Sequence, residues 1–130
     1  MAKEFNFQYV IDTINENYEF TPTSFCVFPG TPTNTQGNNE GACRVLAFAK
    51  DQRIHHEKET VLELFAEHYD AVLADPDGDG HQNIRTVIKY GADSVHFWKL
   101  PLTRKKEYNA ARVLELIEAT RERARQRLRQ

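Results

Sequence analysis

The chain has 130 residues and a mass of 15.1 kDa, enough for one domain with a real core and too short for two. It is 40% hydrophobic and 28% charged, with a mean hydropathy of -0.65. That profile excludes disorder, collagen-like repeats and membrane-spanning helices, which need roughly 18 consecutive apolar residues. The net charge of -2 divides unevenly, with 8 Lys and Arg against 15 Asp and Glu in residues 1–103 and 9 against 4 in residues 104–130.

Residues 4–18 predict an amphipathic helix, because Phe7, Val10, Ile11, Ile14 and Tyr18 recur at helical spacing while Asp12, Asn15 and Glu16 fall opposite. The segment Met1–Phe7 lacks an apolar signal-peptide core. Pro22 turns the chain out of the helix, and Phe25–Phe28 is a short apolar run that predicts a strand. Pro29–Gly41 is the longest loop, and Asn34, Gln36, Asn38 and Asn39, followed by Glu40, make it rich in amide side chains. Such density suits turns and equally suits a binding surface.

Cys43–Lys50 reads as a short buried helix, and Glu57–Ala74 as a long one with the apolar stripe Val61, Leu62, Leu64, Phe65, His68, Tyr69, Val72 and Leu73. On that helix Glu63, Glu67 and Asp70 are expected on the outer side. Asp75–Gly80 stops it, and His81–Tyr90 forms the next helix, ending at Gly91. Ser94–Trp98 alternates as a strand does and is expected to pair with Phe25–Phe28.

Residues 104–129 predict a final charged helix. Leu114, Ile117, Arg121, Ala124 and Leu128 follow 3-4-3-4 spacing, which implies a short coiled-coil-like seam. Five arginines crowd the last ten residues with Glu122 as the only acid. Leu114 and Ile117 are therefore expected to anchor the first half, with Arg121–Gln130 projecting or fraying. With Tyr108 its only aromatic residue, the tail reads as a solvated helical face and not as a nucleic-acid interface.

Four groups of residues could carry chemistry. Asp75, Asp77 and Asp79 open a D-x-D-x-D-G calcium pattern, but the twelfth position is Thr86 where a bidentate Glu should close the sphere, so no metal is expected and a weak calcium loop is kept only as an alternative. His81, Asn83 and Arg85 open a helix, and with Asn38, Asn39 and Glu40 of the long loop they form a candidate ligand-binding face. Cys43 follows that loop at a helix start, so a Cys43–His81 acyl-transfer (hydrolase-type) arrangement is the alternative from another class. His55, His56, His68, His81 and His96 contain no zinc-type pairing, and no phosphate-binding or nucleophile-elbow glycine motif is present. No cofactor is expected. Cys26 and Cys43 read as free thiols of a reducing compartment, hence a cytoplasmic location.

Phe20-Thr-Pro-Thr-Ser-Phe25, Asn38-Asn-Glu-Gly-Ala-Cys43 leading to Phe48, Thr60 to Tyr69, Pro76-Asp-Gly78 and His81-Gln-Asn-Ile-Arg85 occur together and in this order. The combination resembles the HopJ type III effector family from about Phe7 to Thr103. Thr31–Gly37 and Asp79-Gly80 depart from the family pattern, and residues 104–130 lie beyond it. The resemblance implies a bacterial protein, a host or bacterial protein partner, and delivery into a host by type III secretion. It assigns no catalytic residue. The expected architecture is α+β: one mostly helical domain over 1–103 with a small two-stranded sheet, and a basic helical extension over 104–130.

Overall fold

The computed structural model describes residues 4–30 and 32–130. Met1–Lys3, part of the leader reading, and Thr31, in the long loop, lie outside the described residues. Asn6 caps α1 (Phe7–Asn17) by accepting from the Tyr9 N–H at 2.8 Å, which satisfies one of the free donors of the first turn. The chain leaves α1 directly into β1 (Tyr18–Phe20) and then β2 (Phe25–Val27), with a cis bond between Phe28 and Pro29. Helices α2 (Glu40–Asp51), α3 (Lys58–Leu64), α4 (Glu67–Ala74) and α5 (Gln82–Tyr90) follow, then β3 (Val95–Phe97), β4 (Leu102–Arg104) and α6 (Ala110–Leu128).

The architecture is α+β. The expected sheet forms: β2 pairs antiparallel with β3, Cys26 opposite His96. A second, unanticipated sheet joins β1 to β4, with Tyr18 opposite Arg104. The core is shared by α1, α2, α3 and α6 and is filled by side chains such as Ile14, Phe25, Leu46, Phe48, Leu62, Leu64 and Leu116. Cys26 and Cys43 are free thiols. Among the described residues no helix is long and apolar enough to cross a membrane.

The long helix predicted over 57–74 is broken in two. Ala66 adopts φ 51° and ψ -124°, a conformation that costs an L-residue roughly 1–3 kcal/mol. The break has a geometric reason. Every residue from Thr60 to Ala66 is buried, so α3 sits inside the protein, whereas α4 lies at its surface and must run in another direction.

Burial of α3 also corrects the position of Glu63. It is 1% exposed and does not face solvent. Its carboxylate receives the Arg127 guanidinium in a two-pronged contact, Nε to Oε2 and Nη2 to Oε1, the latter at 3.2 Å. Arg123 Nε stands 3.7 Å away. Attraction to the two carboxylates raises the Arg127 guanidinium above its ordinary pKa, the hydrogen bond to Glu63 being the largest cause and that to Asp70 a smaller one.

The tail therefore does not project after Arg121. Arg121 donates to both oxygens of Glu57, at 3.0 and 2.8 Å, and Arg127 Nη2 reaches Asp70 at 2.8 Å. The seam is also turned from the expected one. Val113, Leu116, Ile117, Thr120 and Ala124 are buried on α6, whereas Leu114 and Leu128 are 51% and 72% exposed. Of the expected seam Ile117 and Ala124 are buried, whereas Leu114, Arg121 and Leu128 lie off the buried stripe, and Arg121 and Arg127 at its border meet acidic partners more than 50 residues away. Buried Asn17 holds the start of this helix, since its Oδ1 accepts from the Asn109 N–H at 2.6 Å and its backbone oxygen from the Lys105 N–H at 3.0 Å.

Candidate ligand-binding cleft

Two helices, α2 and α5, begin in the same way. Each is preceded by a residue in the left-handed region, Asn39 at φ 55° and His81 at φ 55°, and neither side chain caps its helix. Asn and His are among the residues that tolerate this conformation best. Freed from capping, both side chains line a cleft of about 610 Å³ between the 32–42 segment and α5.

Asn34 fastens the two sides of that cleft. Its backbone forms an antiparallel bridge to Phe25, with bonds of 3.0 and 2.7 Å. Its side-chain oxygen accepts from Asn39 Nδ2 at 2.7 Å and from Asn83 Nδ2 at 3.0 Å, while its own Nδ2 donates to Asn83 Oδ1 at 3.0 Å. Asn34 and Asn83 thus form a reciprocal amide pair. Asn83 is 6% exposed, and burial of an amide requires such partners.

The opposite wall is aromatic. Phe7 stacks on Phe65 with centroids 6.4 Å apart and meets the His68 ring edge-on at 4.6 Å. The His68 ring lies 5.1 Å from that of His81. The break at Ala66 sets this wall, since it places Phe65 at the end of α3 and His68 in the first turn of α4. Glu67 holds Phe7 in position by accepting its backbone N–H at 2.7 Å. Gly41 lets α2 pass close to this wall, since a Cβ there would stand 3.1 Å from the Phe7 ring.

Of the six residues expected on the binding face, Asn39, His81 and Asn83 line the cleft. Asn38, Glu40 and Arg85 do not. Asn38 is exposed and donates to Thr35 Oγ1 at 2.5 Å. Glu40 opens α2 without joining the lining. Arg85 turns into the Asp75–Gly80 loop, where Nε donates to the Gly80 carbonyl at 2.6 Å and Nη1 to the Pro76 carbonyl at 3.2 Å. Its guanidinium thereby supplies a positive charge inside the loop that carries Asp75, Asp77 and Asp79. Among the described residues no three His, Cys, Asp or Glu side chains converge as metal ligands.

Cys43 is 1% exposed and is not among the lining residues. Burial pushes its thiol up to about 11, the reverse of the activation that a nucleophile requires. Phe7, Asn34, Phe65 and His68 are cleft residues that periodicity assigned to core stripes or to a turn. Only the amide density around Asn34 hinted at a site. Among the described lining residues there is no Asp, Glu, Lys or Arg, so the cleft presents amides, imidazoles and aromatic faces.

No curated protein matches the chain. A solved structure described as unknown function protein VPA0580 is similar, with a TM-score of 0.71 and 32% identity over 78% of this chain and 82% of that one. The family model for the HopJ type III effector protein matches residues 1–102. That span includes every element lining the cleft, and α6 lies outside it. The chain belongs to the HopJ type III effector family.

Proposed function

We propose that the protein is an effector-like binding protein and that the cleft between the 32–42 segment and α5 holds its ligand. The observation that carries this reading is the Asn39–Asn34–Asn83 amide chain facing the Phe7–Phe65–His68 wall. A volume of about 610 Å³ suits a small molecule or one side chain of a partner protein, and apolar walls with a few converging polar groups are the usual make-up of such sites. The matching ligand is planar, uncharged and rich in amide-like donors and acceptors. Burial of Cys43 removes support from acyl transfer through this thiol.

The test is titration of the full ¹⁵N-labelled chain with nicotinamide, benzamide and uracil. Saturable shifts are expected at the side-chain amides of Asn34, Asn39 and Asn83, together with loss of binding in Asn39→Ala and His68→Ala. If none of the three probes shifts these amides, or if the shifts survive both substitutions, the reading fails. Family membership supports a host or bacterial protein as partner and two locations, the bacterial cytoplasm and a host cell reached by type III secretion. A reporter fused to the chain, followed in strains with and without the secretion apparatus, separates the two.

A further inference from the structure

A second concavity of about 540 Å³ shares no lining residue with the cleft. It runs along β3 and the segment that follows it, and Trp98 and Leu100 are 55% and 74% exposed there. Large apolar side chains left open around one groove mark interaction surfaces. The charges of the groove are one-sided. Asp51, the carboxylate in its lining, is already matched by Arg104 Nε at 3.0 Å and by the Tyr18 hydroxyl at 2.5 Å. Lys50 and Lys99 are exposed and, among the described residues, neither forms an ion pair. Lys50 Nζ lies 5.9 Å from the centre of the Phe97 ring, and Lys99 Nζ reaches only Gln36 Oε1 at 3.3 Å.

The backbone adds a direction. Phe28 N–H donates to the Ser94 carbonyl and Trp98 N–H to the Ser24 carbonyl, each at 3.1 Å. Alternation along an antiparallel pair then turns the backbone groups of Val95 and Phe97 away from β2. Among the described residues no other strand pairs with that edge of β3. An extended segment carrying carboxylates between apolar side chains matches the edge, the two lysines and the open Trp98 and Leu100 together.

We propose that this groove docks an acidic, leucine- or aromatic-bearing extended segment of a partner protein. The site is independent of the cleft and does not rest on the ligand reading given for it. Trp98 is the single tryptophan of the chain, so its emission reports occupancy directly.

The experiment is a selection of random phage-displayed peptides on the full chain. The enriched peptides are then synthesised and titrated by anisotropy and by Trp98 emission. Enriched peptides are expected to pair Asp or Glu with Leu, Phe or Trp, to shift Trp98 emission, and to bind more weakly as salt rises. Lys50→Glu with Lys99→Glu should weaken them by about tenfold or more, and peptides with their acids changed to lysine should regain binding to that variant. All of these substitutions lie at exposed positions, and amide spectra of the variants verify folding. Enrichment of nothing, enrichment without acidic bias, or binding indifferent to both the lysine pair and Leu100→Ala would overturn the proposal. Self-association of the chain abolished by Leu100→Asp would overturn it too, by assigning the groove to a second copy.

Discussion

Arg127→Met tests how α6 is held. The substitution keeps an apolar stem of similar reach and removes the charge facing Glu63, which is 1% exposed. Removing one partner of a fully buried ion pair costs about 3–5 kcal/mol, because the other charge is left without compensation. Two features reduce that figure here. Arg127 is 31% exposed, and Arg123 stays 3.7 Å from the same carboxylate. The contact to Asp70, whose side chain is 50% exposed, adds little. The expected loss is about 2–3 kcal/mol, which for a domain of this size lowers the thermal midpoint by about 10 °C. Replacing both partners, Glu63→Met with Arg127→Met, should return stability to within about 1 kcal/mol of the parent, since an apolar pair carries no desolvation cost. The assay is a double-mutant cycle by urea denaturation with thermal melts alongside. An Arg127→Met midpoint within about 2 °C of the parent would refute the reasoning, and the hold on α6 would then lie in its other contacts, the buried Val113, Leu116 and Ile117 and the Arg121–Glu57 pair.

The Arg121 hydrogen bonds hold the Glu57 carboxyl below its ordinary pKa. That contribution is present above the unfolded carboxylate pKa of about 4.3 and is lost as pH falls through the lowered folded value. The stability gap between the parent and Arg121→Met should accordingly be full at pH 7 and close as pH drops below about 4, in melts taken across that range; a gap independent of pH would sink the assignment. With Cys43 buried and its thiol pushed up to about 11, a thiol reagent at pH 8 should label Cys26 first and reach Cys43 only on unfolding. Mass mapping showing Cys43 labelled first would reopen the nucleophile reading. Phe65→Ala, at a position 2% exposed, should cost roughly 3–5 kcal/mol by chemical denaturation, and an unchanged midpoint would contradict its place between core and cleft. We propose that the division at Thr103 is one of sequence and family span, with α6 completing the core. Deletion of residues 104–130 should then abolish the dispersed amide spectrum, and a folded 1–103 fragment would show instead that the extension is dispensable.

Local patterns were readable wherever one residue's neighbours in sequence were also its partners. The apolar run Phe25–Phe28 and the alternation of Ser94–Trp98 agree with the β2–β3 pairing, and Pro22 and Gly91 mark element ends. Half of the residues expected on one face line the cleft for the same reason, because Asn39, His81 and Asn83 stand at two helix starts that the turn residues announce. The remainder depended on distance. Nothing local distinguishes Ala66 from any helical alanine, and its backbone is set by the burial of α3. Glu63 reads as a surface acid until Arg127, 64 residues later, covers it. Phe7 and His68 look like core members because a stripe that walls a cleft has the same period as one that fills an interior. Arg85 shares its face with apolar residues, but its long stem reaches the carbonyls of a loop behind it.

Pairing of Tyr18 with Arg104 in the small β1–β4 sheet sets a timetable for synthesis. The N-terminal strand finds its partner only after more than 80 further residues have been made, and α3 waits 64 residues for the arginines of α6. Until then the nascent chain carries the apolar stripe of α1 and a buried-type carboxylate at Glu63 without their covers. Contacts so widely separated along the chain slow folding, and uncovered apolar surface is the species that chaperones bind. Helix α6 is thus the piece that ends this exposure.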